Sequence, residues 1–169
     1  AHFLVMGYPG FDKYRAYAAQ LGVSDHFTFT GRVPYEHAPM YLRVGDIALA
    51  PKLSLTEGAG KILNYMATGL PTIAFDTPVA REYMAQLGVY AARGEADSLA
   101  DRILELMAAP EQRQATGAAL RARAASRFSW ERAAQTIEAV YAAVRAPQPE
   151  LRAAALSQLQ ELDHARKIK

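Results

Sequence analysis

The sequence predicts an α/β fold: a Rossmann-like parallel sheet with helices on both faces, followed by an all-helical C-terminal tail. Three observations carry this. Short apolar runs alternate with helical patterns through the first half, and strand–helix–strand repetition implies parallel pairing with right-handed crossovers. Most of those runs are near-continuous instead of alternating, as expected for strands covered on both faces. Alanine is concentrated after residue 90, where the pattern becomes purely helical.

In chain order, strands are predicted over Phe3–Gly7, Phe27–Gly31, Ile47–Pro51, Pro71–Asp76 and Gly88–Ala91. Helices are predicted between them over Phe11–Leu21, Tyr35–Val44, Gly60–Thr68 and Val79–Leu87. Gly22, Gly69 and Gly88 stand where helices should end, with Pro71 following Gly69 as a stop. Asp97-Ser98 can cap a helix running to Ala109, which Pro110 ends. A further helix covers Glu111–Arg127, and Ser129 is the expected N-cap of another reaching Arg145. Residues 1–146 thus read as one unit. Pro147-Gln148-Pro149 reads as a linker, since each proline disfavours helix in the residue before it. The last stretch, Glu150–Ile168, is amphipathic, with Leu151, Ala155, Leu159 and Leu162 on one face.

Composition excludes several classes. The 169 residues are 51% hydrophobic and 21% charged, which suits a soluble domain with a sizeable core. Cysteine is absent, so disulfide scaffolds, thiolate metal sites and a cysteine nucleophile are excluded. The net charge of +2 is spread thinly, which argues against a nucleic-acid platform. No apolar run approaches the roughly 18–20 residues that span a bilayer, and no leader pattern stands at residue 1, which lies beside an apolar run.

In an open parallel sheet, ligands bind where strand-to-helix turns present backbone N–H groups. Four turns qualify: Gly7–Gly10, Gly31–Pro34, Lys52–Lys61 and Asp76–Pro78. The third is the most informative. Gly58 and Gly60 let a backbone approach a ligand and leave N–H groups free at a helix start. Lys61 adds a point charge beside that anion site. Glu57 would oppose a phosphate but suits sugar hydroxyls, so the ligand expected is half phosphate and half polyol. A bland reading, two loop glycines and a solvated lysine, stands beside it.

Several segments together resemble a known family. Phe3–Gly7 resembles its apolar strand ending in glycine, and Leu21-Gly-Val-Ser-Asp-His-Phe-Thr-Phe-Thr-Gly31 matches its next segment. Val44-Gly-Asp-Ile-Ala-Leu-Ala-Pro51, Glu57-Gly-Ala-Gly60, Met66-Ala-Thr-Gly-Leu-Pro71 and Phe128-Ser-Trp130 follow in the family's order. Residues 3–142 resemble the C-terminal half of GT-B glycosyltransferases, specifically the retaining, nucleotide-sugar-dependent family 4. The resemblance implies that Glu57 holds hydroxyls of the donor sugar. It implies that Gly58, Ala59 and Gly60 supply N–H groups around sugar and diphosphate, and that Lys61 helps hold the diphosphate. Gly31, Arg32 and Val33 match where the family meets the nucleobase, and Gly7 lies near the nucleotide. The family's second acid aligns with Asn64, seven residues from Glu57 instead of eight. Its amide can still bond a ribose hydroxyl.

The implied function is transfer of a sugar from a nucleotide diphosphate sugar to an unknown acceptor. Retention, no metal and no cofactor are implied, with helix N–H groups and basic side chains meeting charge on the leaving diphosphate. Implied partners are the donor and an N-terminal acceptor-binding domain or partner chain. Nucleic acid is not among them, and peripheral membrane contact is open. The implied location is cytoplasmic, with the inner membrane surface open. Against the family pattern the chain lacks a first strand and helix. The expectation is therefore a fragment, or one part of a split enzyme, inactive alone, whose sheet lacks an inner strand and leaves unpaired edges.

Other readings stand beside this one. A catalytically silent binding or scaffold module and an epimerase-like domain are the alternatives. An NAD domain is disfavoured because Gly7-Tyr-Pro-Gly10 has the wrong glycine spacing. The four histidines read as surface or structural, and Asp76-Thr77-Pro78 as a helix start. Glu82 is a lesser candidate for the cleft, and Trp130 reads as a packing anchor.

Overall fold

The apolar runs become five short strands, and every crossover between paired strands is parallel. The computed structural model describes residues 1–145 together with 149, 150, 152–154, 156, 157 and 160. The strands are β1 (Phe3–Met6), β2 (Phe27–Gly31), β3 (Ala48–Ala50), β4 (Thr72–Phe75) and β5 (Val89–Ala91). The helices are α1 (Phe11–Gln20), α2 (Ala38–Leu42), α3 (Lys61–Thr68), α4 (Pro78–Met84), α5 (Ala96–Ala108), α6 (Pro110–Arg127) and α7 (Trp130–Arg145). The rest of the expected linker and terminal helix lies outside the described residues, and those described from 149 to 160 are helical.

The α/β class expected from the sequence is present, but the sheet is divided. β1 pairs with β2 alone, and β3, β4 and β5 form a second sheet in that order. Among the described residues β4 alone is paired on both sides, and each of its four residues is buried. Its side chains alternate between two cores, as the period of two requires. Ile73 and Phe75 meet Leu106, with Leu99 and Ile103 of α5 alongside. Ala74 faces the other way, into Ile62 and Met66 of α3, Met84 of α4 and Leu120 of α6. Helices therefore cover both faces of this sheet. Full burial of a side chain such as Ile73 is worth about 1.5–3 kcal/mol.

The first sheet is less covered. Within residues 1–44 the buried positions are Ala18 and Gly31. Its packing runs through stacked rings, Phe3 on Phe27 at 5.0 Å and Phe27 on Phe29 at 5.8 Å.

Several local expectations shift. The α2 region begins as a 3-10 turn over Tyr35–His37, because Pro39, in the first turn of α2, lacks an N–H to extend the helix backward. α4 stops at Met84, since Ala85 takes φ 49° and a 3-10 turn replaces the last predicted turn. Ser98 does not cap α5; Glu95 holds the N-cap position, and the Ser98 hydroxyl accepts the Ala92 N–H at 2.9 Å. Thr77 does cap α4, accepting the Ala80 N–H at 3.2 Å. Ser129 likewise accepts the Arg132 N–H at 3.2 Å. Gly69 ends α3 in the left-handed region, φ 78°, and its carbonyl abuts Gly117 of α6 so closely that no side chain fits there.

Candidate functional site

The loop after β3 forms where the chain leaves the carboxyl end of the sheet, and its own side chains shape it. Ser54 Oγ accepts the N–H groups of Thr56 at 3.4 Å and Glu57 at 3.2 Å, which turns the chain back. Lys52 then closes the loop: its ammonium donates to the Gly58 carbonyl at 2.8 Å and pairs with Glu57 Oε2 at 3.0 Å. From the β5 side, Arg93 donates to the Leu53 carbonyl at 3.3 Å. Buried Ala59 seats the end of the loop in the core.

At the entry to α3, the Ile62 N–H bonds the Ala59 carbonyl at 2.8 Å, and the Leu63 N–H bonds that of Gly60 at 3.1 Å. The N–H groups of Gly58, Ala59, Gly60 and Lys61 bond to no described residue. Those of Gly60 and Lys61 belong to the helix start, where the dipole favours an anion, and those of Gly58 and Ala59 precede it in the loop. Lys61 is exposed and makes no ion pair among the described residues. Glu57 is exposed, its side chain at 72%, so one carboxylate oxygen is free to accept from a ligand.

A cavity of about 570 Å³ lies against α3, α6 and the corner before α7. Gly60, Asn64, Arg121, Ser129 and the rings of Tyr35 and Trp130 line it. Trp130 is no packing anchor: it is 88% exposed. Ala139 and Ala143 are the buried positions of α7, and its first residue, Trp130, lines the cavity.

The predicted site residues therefore fall into three places. Gly7 and Gly31 meet directly, the Gly7 N–H donating to the Gly31 carbonyl at 3.1 Å, so neither group is spare for a ligand. Arg32 is exposed and lies over the Tyr8 ring at 5.3 Å, with Val33 half-buried behind it. Glu57, Gly58 and Ala59 belong to the β3 loop. Gly60 and Asn64 share the cavity, while Glu57, Gly58 and Lys61 do not line it.

His2 bonds Thr28 Oγ1 at 2.8 Å on the surface. The Glu82 carbonyl accepts from Arg123 at 3.0 Å, and the Tyr83 carbonyl from the same guanidinium at 2.7 Å. Those bonds satisfy carbonyls near the end of α4. The described residues hold no group of three metal-ligating side chains, and no described helix is long and apolar enough to cross a membrane. Lys52 escaped the sequence reading. Its signal is a cation at the first position after the β3 proline, in the same turn as Glu57.

The family profile of glycosyl transferases group 1 matches residues 1–123. The chain belongs to that family. This bears out the membership read from the motifs. Among curated relatives of this glycosyl transferases group 1 member is a GDP-mannose-dependent alpha-(1-6)-phosphatidylinositol monomannoside mannosyltransferase from Mycobacterium tuberculosis. It is 30% identical over 76% of this chain and 35% of its own length. A GDP-mannose-dependent monoacylated alpha-(1-6)-phosphatidylinositol monomannoside mannosyltransferase from Corynebacterium glutamicum is 32% identical over 64% of this chain and 30% of its own. The chain thus spans about a third of the length of the curated relatives it matches.

Solved structures share the fold. Sucrose-phosphate synthase from Thermosynechococcus elongatus superposes with TM-score 0.77, over 86% of this chain and 39% of that one, at 21% identity. Anabaena HepE in complex with UDP gives 0.72, over 82% and 41%, at 18% identity. The GT-B α/β architecture expected from the motifs is present.

Proposed function

We propose that residues 1–146 form the donor-binding part of a glycosyltransferase that moves a hexosyl group from a nucleotide diphosphate sugar. One observation carries this reading: a carboxylate, Glu57, stands beside four N–H groups, at and just before the start of α3, that bond to no described residue. A diphosphate suits the N–H groups and a sugar hydroxyl suits the carboxylate, so both ends of the donor find their chemistry. The mannosyl donors in the relatives' names support GDP-mannose as the first ligand to try.

In the reaction, the bond from the anomeric carbon to the diphosphate oxygen breaks and a bond to the acceptor oxygen forms on the same face. The electron pair leaves with the diphosphate, whose departing oxygen takes the proton of the acceptor hydroxyl. Preorganised N–H groups and Lys61 offset that charge, which is how metal-free transfer is achieved in this reading. Glu57 orients the sugar and exchanges no proton. The acceptor, a glycolipid by the relatives' names, is bound by an N-terminal domain or partner chain. The same reading puts the protein in the cytoplasm, meeting its acceptor at the inner membrane surface.

Calorimetric titration with GDP-mannose and UDP-glucose tests this. Heat of binding is expected with at least one of them, and Glu57→Ala should weaken it about tenfold or more, with circular dichroism unchanged. Absence of heat with both nucleotide sugars overturns the donor reading. An unchanged affinity in Glu57→Ala overturns the role of Glu57.

A further inference from the structure

We propose that Lys52 is a positioning residue that fixes the Glu57 carboxylate for the sugar of the donor, a proposal that rests on the donor-site reading above. Glu57 sits on an exposed loop and would otherwise sample many rotamers, so its usefulness depends on what holds it. Lys52 is the holder. Its stem is covered, with the side chain 28% exposed against 72% for Glu57, and its ammonium has three donors. One goes to the Gly58 carbonyl at 2.8 Å, and another to Glu57 Oε2 at 3.0 Å.

Those two contacts fasten adjacent residues at the turn into α3. The contact with Glu57 Oε2 leaves Oε1 as the carboxylate oxygen open to a ligand. The bond to the Gly58 carbonyl orients the peptide between Gly58 and Ala59, whose N–H bonds to no described residue. The loop carrying this clamp is itself tied to the β5 side by Arg93 at the Leu53 carbonyl. Lys52 therefore holds its geometry from a rigid strand end. A preorganised carboxylate loses less freedom when a sugar arrives. The nucleoside diphosphate does not touch Glu57, so it shares the benefit of the peptide contact and not that of the carboxylate contact. Lys52 accordingly sets the preference for a nucleotide sugar over the bare nucleoside diphosphate.

The experiment titrates the full chain with GDP-mannose and GDP, and with UDP-glucose and UDP. The variants are Lys52→Met, Lys52→Arg, Glu57→Gln and the Lys52→Met/Glu57→Gln double. Lys52→Met is expected to weaken the nucleotide sugar about five- to tenfold more than its nucleoside diphosphate. Lys52→Arg, which keeps charge and donors, should recover most of that preference. In the Glu57→Gln background the added Lys52→Met should change the preference less than twofold, because the carboxylate it positions is gone. Equal losses for sugar and non-sugar ligands overturn the proposal, and so does an undiminished effect without the carboxylate. If the unsubstituted chain binds none of the four ligands, the donor-site reading falls and takes the proposal with it.

Discussion

Arg81 grips Asp76 with two parallel hydrogen bonds, Nε to Oδ1 at 2.6 Å and Nη2 to Oδ2 at 2.7 Å. The pair spans the turn from β4 into α4, the same turn that Thr77 caps. The hydrogen bonds from Arg81, with its positive charge in addition, hold the Asp76 carboxyl below the usual carboxylate range. A depressed folded pKa means stability present above the ordinary carboxylate value and lost as pH falls through the depressed one. Both side chains are about half exposed, so solvent screening limits the effect to about 0.2–1 kcal/mol. Thermal melts of wild type and Asp76→Asn should differ at neutral pH and converge as the solution is acidified. A gap that persists at the acid end would show that the pair contributes by shape and not by charge.

Tyr90 gives the opposite sign. Burial pushes its phenol up to about 12, partly opposed by the Arg81 guanidinium, which lies 4.4 Å from the ring centre. The hydroxyl donates to the Ala85 carbonyl at the end of α4. A raised folded pKa contributes stability that is complete below about 10 and lost as pH climbs toward 12. The difference in tyrosinate absorbance between wild type and Tyr90→Phe should therefore titrate near 12. A difference curve centred near 10 would contradict the burial.

Gly117 marks where α6 crosses the end of α3. A Cβ there would lie 3.3 Å from the Pro71 ring and far inside contact distance of the Gly69 carbonyl oxygen. Gly117→Ala gains about 1 kcal/mol of helix propensity. Overpacking against backbone costs about 1–3 kcal/mol and outweighs it. The melting temperature should fall. Gly60→Ala offers the contrast, since its backbone is right-handed and no atom lies within 4 Å of the new Cβ. Its stability should hold or rise by up to about 1 kcal/mol.

Trp130→Ala separates the two readings of that residue. A buried tryptophan would lose about 3–5 kcal/mol on truncation. At 88% exposure the expected change is within about 0.5 kcal/mol, measured by urea denaturation.

Much of the fold was legible in local pattern. The apolar run ending at Phe75 is a wholly buried strand, Thr77 and Ser129 cap where expected, and Gly69 ends its helix. Each depends on residues within a few positions, where steric and hydrogen-bonding rules act directly. Part of the candidate site was legible for the same reason: Glu57, Gly58 and Gly60 announce a helix start with an acid beside it. Lys52 was not, because its value lies in which carbonyl and which carboxylate oxygen its flexible stem reaches. Ser98 failed as a cap because a more distant N–H, that of Ala92, competes for its hydroxyl.

By itself the sequence determined the α/β class, the order of strands and helices, and the family. These follow from periodicity, glycine and proline stereochemistry, and motif order. Only the tertiary structure decided that the strands split into two sheets. It also decided that Asn64 opens into a cavity apart from Glu57, and that Trp130 stands in solvent at the cavity's rim. The physical reason is range. Turns and caps are set by neighbours along the chain. A cavity wall or a clamp such as Arg93 on Leu53, 40 residues away, exists only once the helices have packed.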